Sequence, residues 1–239
     1  MAIYARYEHD GSRSCGLVEG NTIHQLQGGL FDHPQPTGKT VPLAAVKLLV
    51  PHIPPKLFAV GLNYKSHLGT RTAPANPEIF YKPVTCLQDP DGPIRIPEGA
   101  GAPHFEGELV VVMGHANQVF GVTCGNDVSE RSWQANDRQW WRAKGCDTFG
   151  PVGPFIVTGL NYGDLQLQTR LNGTTVQSQR TSDLLFDIPT VIRFISHHVT
   201  MEPGDMIFTG TPGNTSGLQS GDVVEVEIEG IGILRNTVA

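Results

Sequence analysis

Glu106 and Glu108 stand two residues apart, with only Gly107 between them, immediately before the apolar, β-branched run 109–113. That run is too short for a helix and is closed by Gly114, so it reads as a buried strand. Side chains alternate across a strand, so the two carboxylates project to the same side. Like charges held that close repel unless something positive sits between them. A hard divalent cation with oxygen ligands satisfies them; two solvated Glu at a polar strand entrance are the alternative. A third ligand would come from a neighbouring strand end. Asp127 closes the next apolar run, 119–124, which could pair with the first, although Asp127 equally suits a helix N-cap. Three carboxylates with no His or Cys among them fit magnesium or manganese far better than zinc.

The elements that must position these residues are those of a β-rich chain. Gly (28) and Pro (18) are abundant among 239 residues, which favours many turns and few long helices. The formal charge is −6 and no run of Lys or Arg occurs, which argues against nucleic acid or an anionic membrane as partner. The start lacks the basic-then-apolar pattern of a signal peptide, and no apolar stretch is long enough to span a bilayer. The four Cys (15, 86, 124 and 146) form no C-x-x-C pair, which points to reduced thiols and a cytoplasmic protein.

Residues 1–55 read as a small N-terminal β module with short strands at 3–7, 14–18 and 22–26, a loop at 31–40 and a short helix at 43–50 ended by Pro51. Pro54-Pro55 marks the join to a catalytic domain, 56–239. Strands are expected at 56–62 and 79–82, with a surface loop over 69–78 between them. The best helix candidate is 129–144, with Trp133, Trp140 and Trp141 able to share a face and residues 127–130 fitting a capping box. Asn172-Gly173 is a hairpin signal. Residues 186–197 read as a second helix with Pro189 near its start. Gly204-Asp205 and Gly221-Asp222 are turns that each launch a strand.

A set of motifs follows in order: Gly61-Leu62-Asn63-Tyr64-x-x-His67, Phe80-Tyr81-Lys82-Pro83, Phe105-Glu106-Gly107-Glu108-Leu109, Asn126-Asp127-Val128-Ser129-x-Arg131-x-x-Gln134, Lys144-Gly145-x-Asp147-Thr148-x-Gly150-Pro151, Asn172-Gly173, Pro203-Gly204-Asp205, Thr209-Gly210-Thr211-Pro212-Gly213 and Gly221-Asp222-Val223. Together they resemble the fumarylacetoacetate hydrolase family, from about residue 60 to the C-terminus. The resemblance implies a mainly β fold with a few short helices, a mixed β-sandwich roll of the family's C-terminal-domain type, preceded by the small β module and usually found as a homodimer. It implies Mg2+ or Mn2+ at Glu106, Glu108 and Asp127, and a small 2-oxo acid or 1,3-diketo acid as substrate. Lys144 matches the ammonium that stabilises enolate charge on the 2-oxygen, where the metal acts as a Lewis acid. Arg131 suits a bidentate grip on the substrate carboxylate, and Gln134 lies one helical turn on. Tyr64, Lys82 and the Gly210-Thr211 backbone are further pocket candidates.

His67 is the natural general base for activating water. Family members of this size often carry a Glu three residues later; here that position is Thr70, and Glu78 is the nearest substitute. The segment 114–118 is also shorter than its counterpart in most members. The expected activity is metal-dependent hydrolysis of a C–C bond in an acylpyruvate-type acid. Decarboxylation or isomerisation of a 2-oxo dicarboxylic acid stands nearly level with it, because neither needs an activated water. A non-catalytic, metal-dependent metabolite-binding protein is the third possibility.

Overall fold

The computed structural model describes residues 1–239. The chain opens with an antiparallel meander of β1 (Ala2–His9), β2 (Ser12–Glu19), β3 (Thr22–Gln27) and β4 (Gln35–Pro42). β4 occupies much of the stretch expected to be a loop. It is exposed and carries Pro at both ends, so nothing in its own pattern marks a strand; β3 recruits it as an edge, where proline is tolerated. The helix expected over 43–50 is also absent. One 3-10 turn, Leu43–Ala45, leads into β5 (Lys47–Leu49), which pairs with β1. Over so few residues helical spacing and strand alternation cannot be told apart, and the free edge of β1 decides.

The remainder contains β6 (Leu57–Gly61), β7 (Glu78–Tyr81), β8 (Leu87–Gln88), β9 (Pro93–Ile94), β10 (Gly107–Met113) and β11 (Val119–Asn126). After these come β12 (Gly150–Thr158), β13 (Gln166–Leu171), β14 (Thr174–Arg180), β15 (Met206–Phe208), β16 (Val223–Ile228) and β17 (Gly232–Val238). The large sheet runs β4-β3-β2-β1-β12-β11-β10-β15-β6-β7, with β5 and β8 at its margins; the small one runs β14-β13-β16-β17-β9. β13 and β14 are the hairpin that Asn172-Gly173 signals, both residues having positive φ.

β10 lies in the middle of the large sheet and is buried on both faces, which is why its sequence is continuously apolar rather than alternating. Leu109, Val111 and Met113 face the small sheet and α3 (Ile188–His198), meeting Leu167, Val226, Ile228, Leu234, Val191 and Ile195. Val110 and Val112 face the other way, onto Ala59, Ile156 and Phe208. α3 is the helix expected at 186–197. Asp187 caps it by accepting the Thr190 N–H at 2.8 Å, and Pro189 lies in the first turn.

The helix expected over 129–144 is two short ones, α1 (Arg131–Asn136) and α2 (Trp141–Gly145). Asp137 leaves the helical path and takes the Arg142 guanidinium through two bonds of 2.6 and 2.8 Å. The tryptophans accordingly share no face. Trp140 packs edge-on against Phe80 at 5.2 Å, Arg142 covers Trp133, and Trp141 is exposed.

Candidate active site

The β10–β11 pairing sets Gly107 opposite Asn126, which brings Asp127 alongside Glu106; the Asp127 N–H donates to the Glu106 carbonyl at 2.9 Å. Asn126 fixes the other side of the same residue, its Oδ1 accepting the Glu106 N–H at 2.9 Å. One oxygen from each of Glu106, Glu108 and Asp127 lies within 4.8 Å of the others, and all three residues are buried. Asp127 is no helix cap: that position is Glu130, which accepts the Ser132 N–H at 3.0 Å. Gly107 between the two glutamates faces the small sheet, where a Cβ would stand 2.0 Å from Thr169 Oγ1. Any larger residue there must displace Thr169.

Three cations surround the carboxylates. Lys144 Nζ lies 2.5 Å from Glu106 Oε2 and 2.7 Å from Asp127 Oδ2. Arg131 reaches Glu106 Oε1 at 2.5 Å, and also donates to Gln134 Oε1 at 2.8 Å and Thr215 Oγ1 at 2.9 Å. Lys82 lies behind the triad. It is fully buried, 2.6 Å from Asp127 Oδ1, and donates also to the carbonyls of Lys144 and Phe149. It does not line the cavity, where a pocket contact was expected, and instead braces Asp127 from behind.

Burial would raise the Glu106 carboxyl, but Lys144, Arg131 and His67 outweigh it and hold that group well below the usual carboxylate range. Glu108 goes the opposite way. Burial, then the charges of Asp127 and Glu106, push it well above that range, against the pull of Lys144 and a 2.7 Å bond from the Gly210 N–H. A hard divalent cation would offset the repulsion among the three carboxylates, and the all-oxygen donor set suits such an ion; the residues fit one.

A cavity of about 740 Å³ opens over the triad and is reached by Glu106, Glu108, Arg131, Gln134, Lys144, His67 and Thr211. His67 Nδ1 is 2.6 Å from the Gly213 carbonyl, which can only accept, so Nδ1 carries the proton. In neutral His67, Nε2 therefore offers its lone pair, 3.9 Å from Glu106 Oε1. Neither Thr70 nor Glu78 supports the ring; a backbone carbonyl does. The Gly210 N–H is taken by Glu108, and the Thr211 hydroxyl donates to the Gly107 carbonyl at 2.9 Å while accepting from Gln177 at 2.8 Å. Tyr64 is fully buried beside the site rather than in the cavity lining. Its hydroxyl has no partner, and burial, with Glu108 next, pushes the phenol pKa up.

Two residues of the site, His104 and Gln177, have no place in the sequence reading, and a third, Asn63, enters it only as a motif position without a role. His104 lines the cavity and bonds Thr215 at 2.9 Å; its spacing two before Glu106 continues the strand alternation and was the available signal. Gln177, on β14, accepts the Gly107 N–H at 3.2 Å. Asn63 ties the turn after β6 to the Thr209 carbonyl at 2.8 Å and to both backbone groups of Phe186.

Fold and site define a class: a two-sheet β protein carrying a buried carboxylate triad at the open end of its central hairpin. The chain belongs to the fumarylacetoacetate hydrolase family. Residues 56–239 match the family described as fumarylacetoacetate (FAA) hydrolase C-terminal, and residues 4–51 match the one described as Rv2993c-like, N-terminal. It is similar to protein Rv2993c of Mycobacterium tuberculosis, 45% identical over 91% of this chain and 88% of that one. It is 35% identical to the mitochondrial oxaloacetate tautomerase fahd2 of Xenopus laevis, over 81% of this chain and 68% of that one. The crystal structure of 2-hydroxyhepta-2,4-diene-1,7-dioate isomerase from Mycobacterium marinum superposes with a TM-score of 0.93 at 40% identity, covering 100% of this chain and 98% of that one. No helix here is long and apolar enough to cross a membrane.

Proposed function

We propose that this protein is a divalent-metal-dependent tautomerase or isomerase of a small 2-oxo acid, moving a proton at the carbon next to the 2-oxo group. The observation that carries this reading is His67. Its Nδ1–H rests on the Gly213 carbonyl, its Nε2 points toward the triad, and no carboxylate stands behind the ring. C–C hydrolysis asks such a base to activate a water for attack on a carbonyl, a task for which a carboxylate behind the ring normally strengthens the base. Proton transfer at carbon needs only a base and a place for the enolate charge. An isomerase and a tautomerase among the similar proteins point the same way.

A hard divalent cation held by Glu106, Glu108 and Asp127 would supply Lewis acidity toward the 2-oxo and carboxylate oxygens. Arg131, already oriented by Gln134 and Thr215, grips the substrate carboxylate. Lys144 places a buried ammonium beside the oxygen on which charge develops. His67 Nε2 takes one proton from the carbon and returns one to the far end of the enolate system, so no C–C bond breaks and no electrons leave. The test is ketonisation of enol-oxaloacetate, alongside acylpyruvate cleavage, with and without EDTA. Acceleration that vanishes on chelation and in Glu106→Ala supports the proposal. Two acid products from acylpyruvates would establish a hydrolase instead, carbon dioxide a decarboxylase, and metal-dependent binding without turnover a non-catalytic protein.

A further inference from the structure

One cation of the cavity takes no part in that chemistry. Arg71 lines the cavity from the loop after β6, and its backbone N–H closes a turn onto the Leu68 carbonyl at 3.0 Å. Its exposed side chain meets no carboxylate, whereas the other two lining cations, Arg131 and Lys144, are both held on Glu106. Glu106 and Glu108 are the only acidic residues among those lining the cavity, and both are buried at its floor. An anion reaching Arg71 would therefore meet a guanidinium that no lining carboxylate pairs with. Leu62, Leu68, Ala135 and Trp140 contribute apolar surface to the same cavity. Its volume of about 740 Å³ leaves room for more than a 2-oxo acid head seated over the triad.

We propose that Arg71 receives a second carboxylate at the far end of the substrate, and that the enzyme thereby selects 2-oxo dicarboxylic acids over monocarboxylic acids of equal length. This rests on the reading above for the head of the substrate. A guanidinium suits the role because it pairs with a carboxylate through two parallel bonds, which fixes direction as well as charge. The short methylene segment of the diacid lies along the apolar surface.

The experiment is calorimetric binding to the full-length, magnesium-loaded protein with three probes: oxalate for the head site alone, 2-oxoadipate, and 2-oxohexanoate. Wild type should bind the diacid about tenfold more tightly than the monoacid. Arg71→Ala should abolish that difference, leaving oxalate and 2-oxohexanoate within about twofold of wild type, and Arg71→Lys should retain part of it. Diacid and monoacid binding equally to wild type, or a preference that survives Arg71→Ala, overturns the role of Arg71 while oxalate binding keeps the head-site reading intact. Absence of magnesium-dependent oxalate binding overturns both.

Discussion

Lys82 and Lys144 approach the same aspartate from opposite sides, and burial gives them different work. Lys144 reaches the cavity, whereas Lys82 is sealed behind Asp127 with two backbone carbonyls as its other partners. Lys82→Met should therefore cost about 3 kcal/mol in denaturant unfolding, because it strips a buried carboxylate and two carbonyls of a shared donor. It should also weaken magnesium binding about tenfold or more by calorimetry, as loss of a ligand's supporting contact does. His67→Gln should leave folding and oxalate binding unchanged while lowering turnover of enol-oxaloacetate by about 10²–10⁴. At this scale the glutamate pair was legible because alternation along one strand is a local property. That Lys82 lies behind Asp127 rather than in the cavity was not, because burial comes from elements distant in sequence.

The strand pair β10–β11 presents the triad, and Gly107 is where its geometry is least forgiving. A Cβ there would collide with Thr169 Oγ1 on β13, in the facing sheet. Gly107→Ala should destabilise by about 2 kcal/mol and weaken magnesium binding, as overpacking between two sheets displaces the flanking glutamates. Thr169→Ala in the same chain removes the obstructing atom, so the double variant should recover at least half of the lost stability, a coupling readable from a double-mutant cycle. The failed helix over 129–144 belongs to this scale too. Its spacing was compatible with one helix, but the Asp137–Arg142 pair and the Trp140–Phe80 contact stabilise a break. The break directs Lys144, near the end of the second piece, onto the triad.

Over the whole molecule, the join between the N-terminal meander and the main sheet carries an acid-sensitive group. His52 lies between Pro51 and Pro54, edge-on to Phe31 at 4.8 Å, with a buried Nε2 that has no partner. Burial, with a smaller contribution from Arg6, lowers its pKa from 6.5 to about 4. The folded chain thus binds fewer protons here than the unfolded one between those values. The associated stability is complete above pH 6.5 and is lost as pH falls toward 4. Wild type should lose about 2 kcal/mol more than His52→Gln between pH 7 and pH 4.5, measured as the shift in urea midpoint. By itself the sequence determined the twin carboxylates, the strand that carries them, the partner strand that leads to Asp127 and the β-rich class, because each follows from alternation, turn chemistry or short separations along the chain. Only the tertiary structure decided that Gly213 orients His67 from 146 residues away, that Lys82 stands behind Asp127, and that 35–42 and 47–49 are strands. Those outcomes depend on strand order and on which backbone groups are left to be satisfied, which no local pattern encodes.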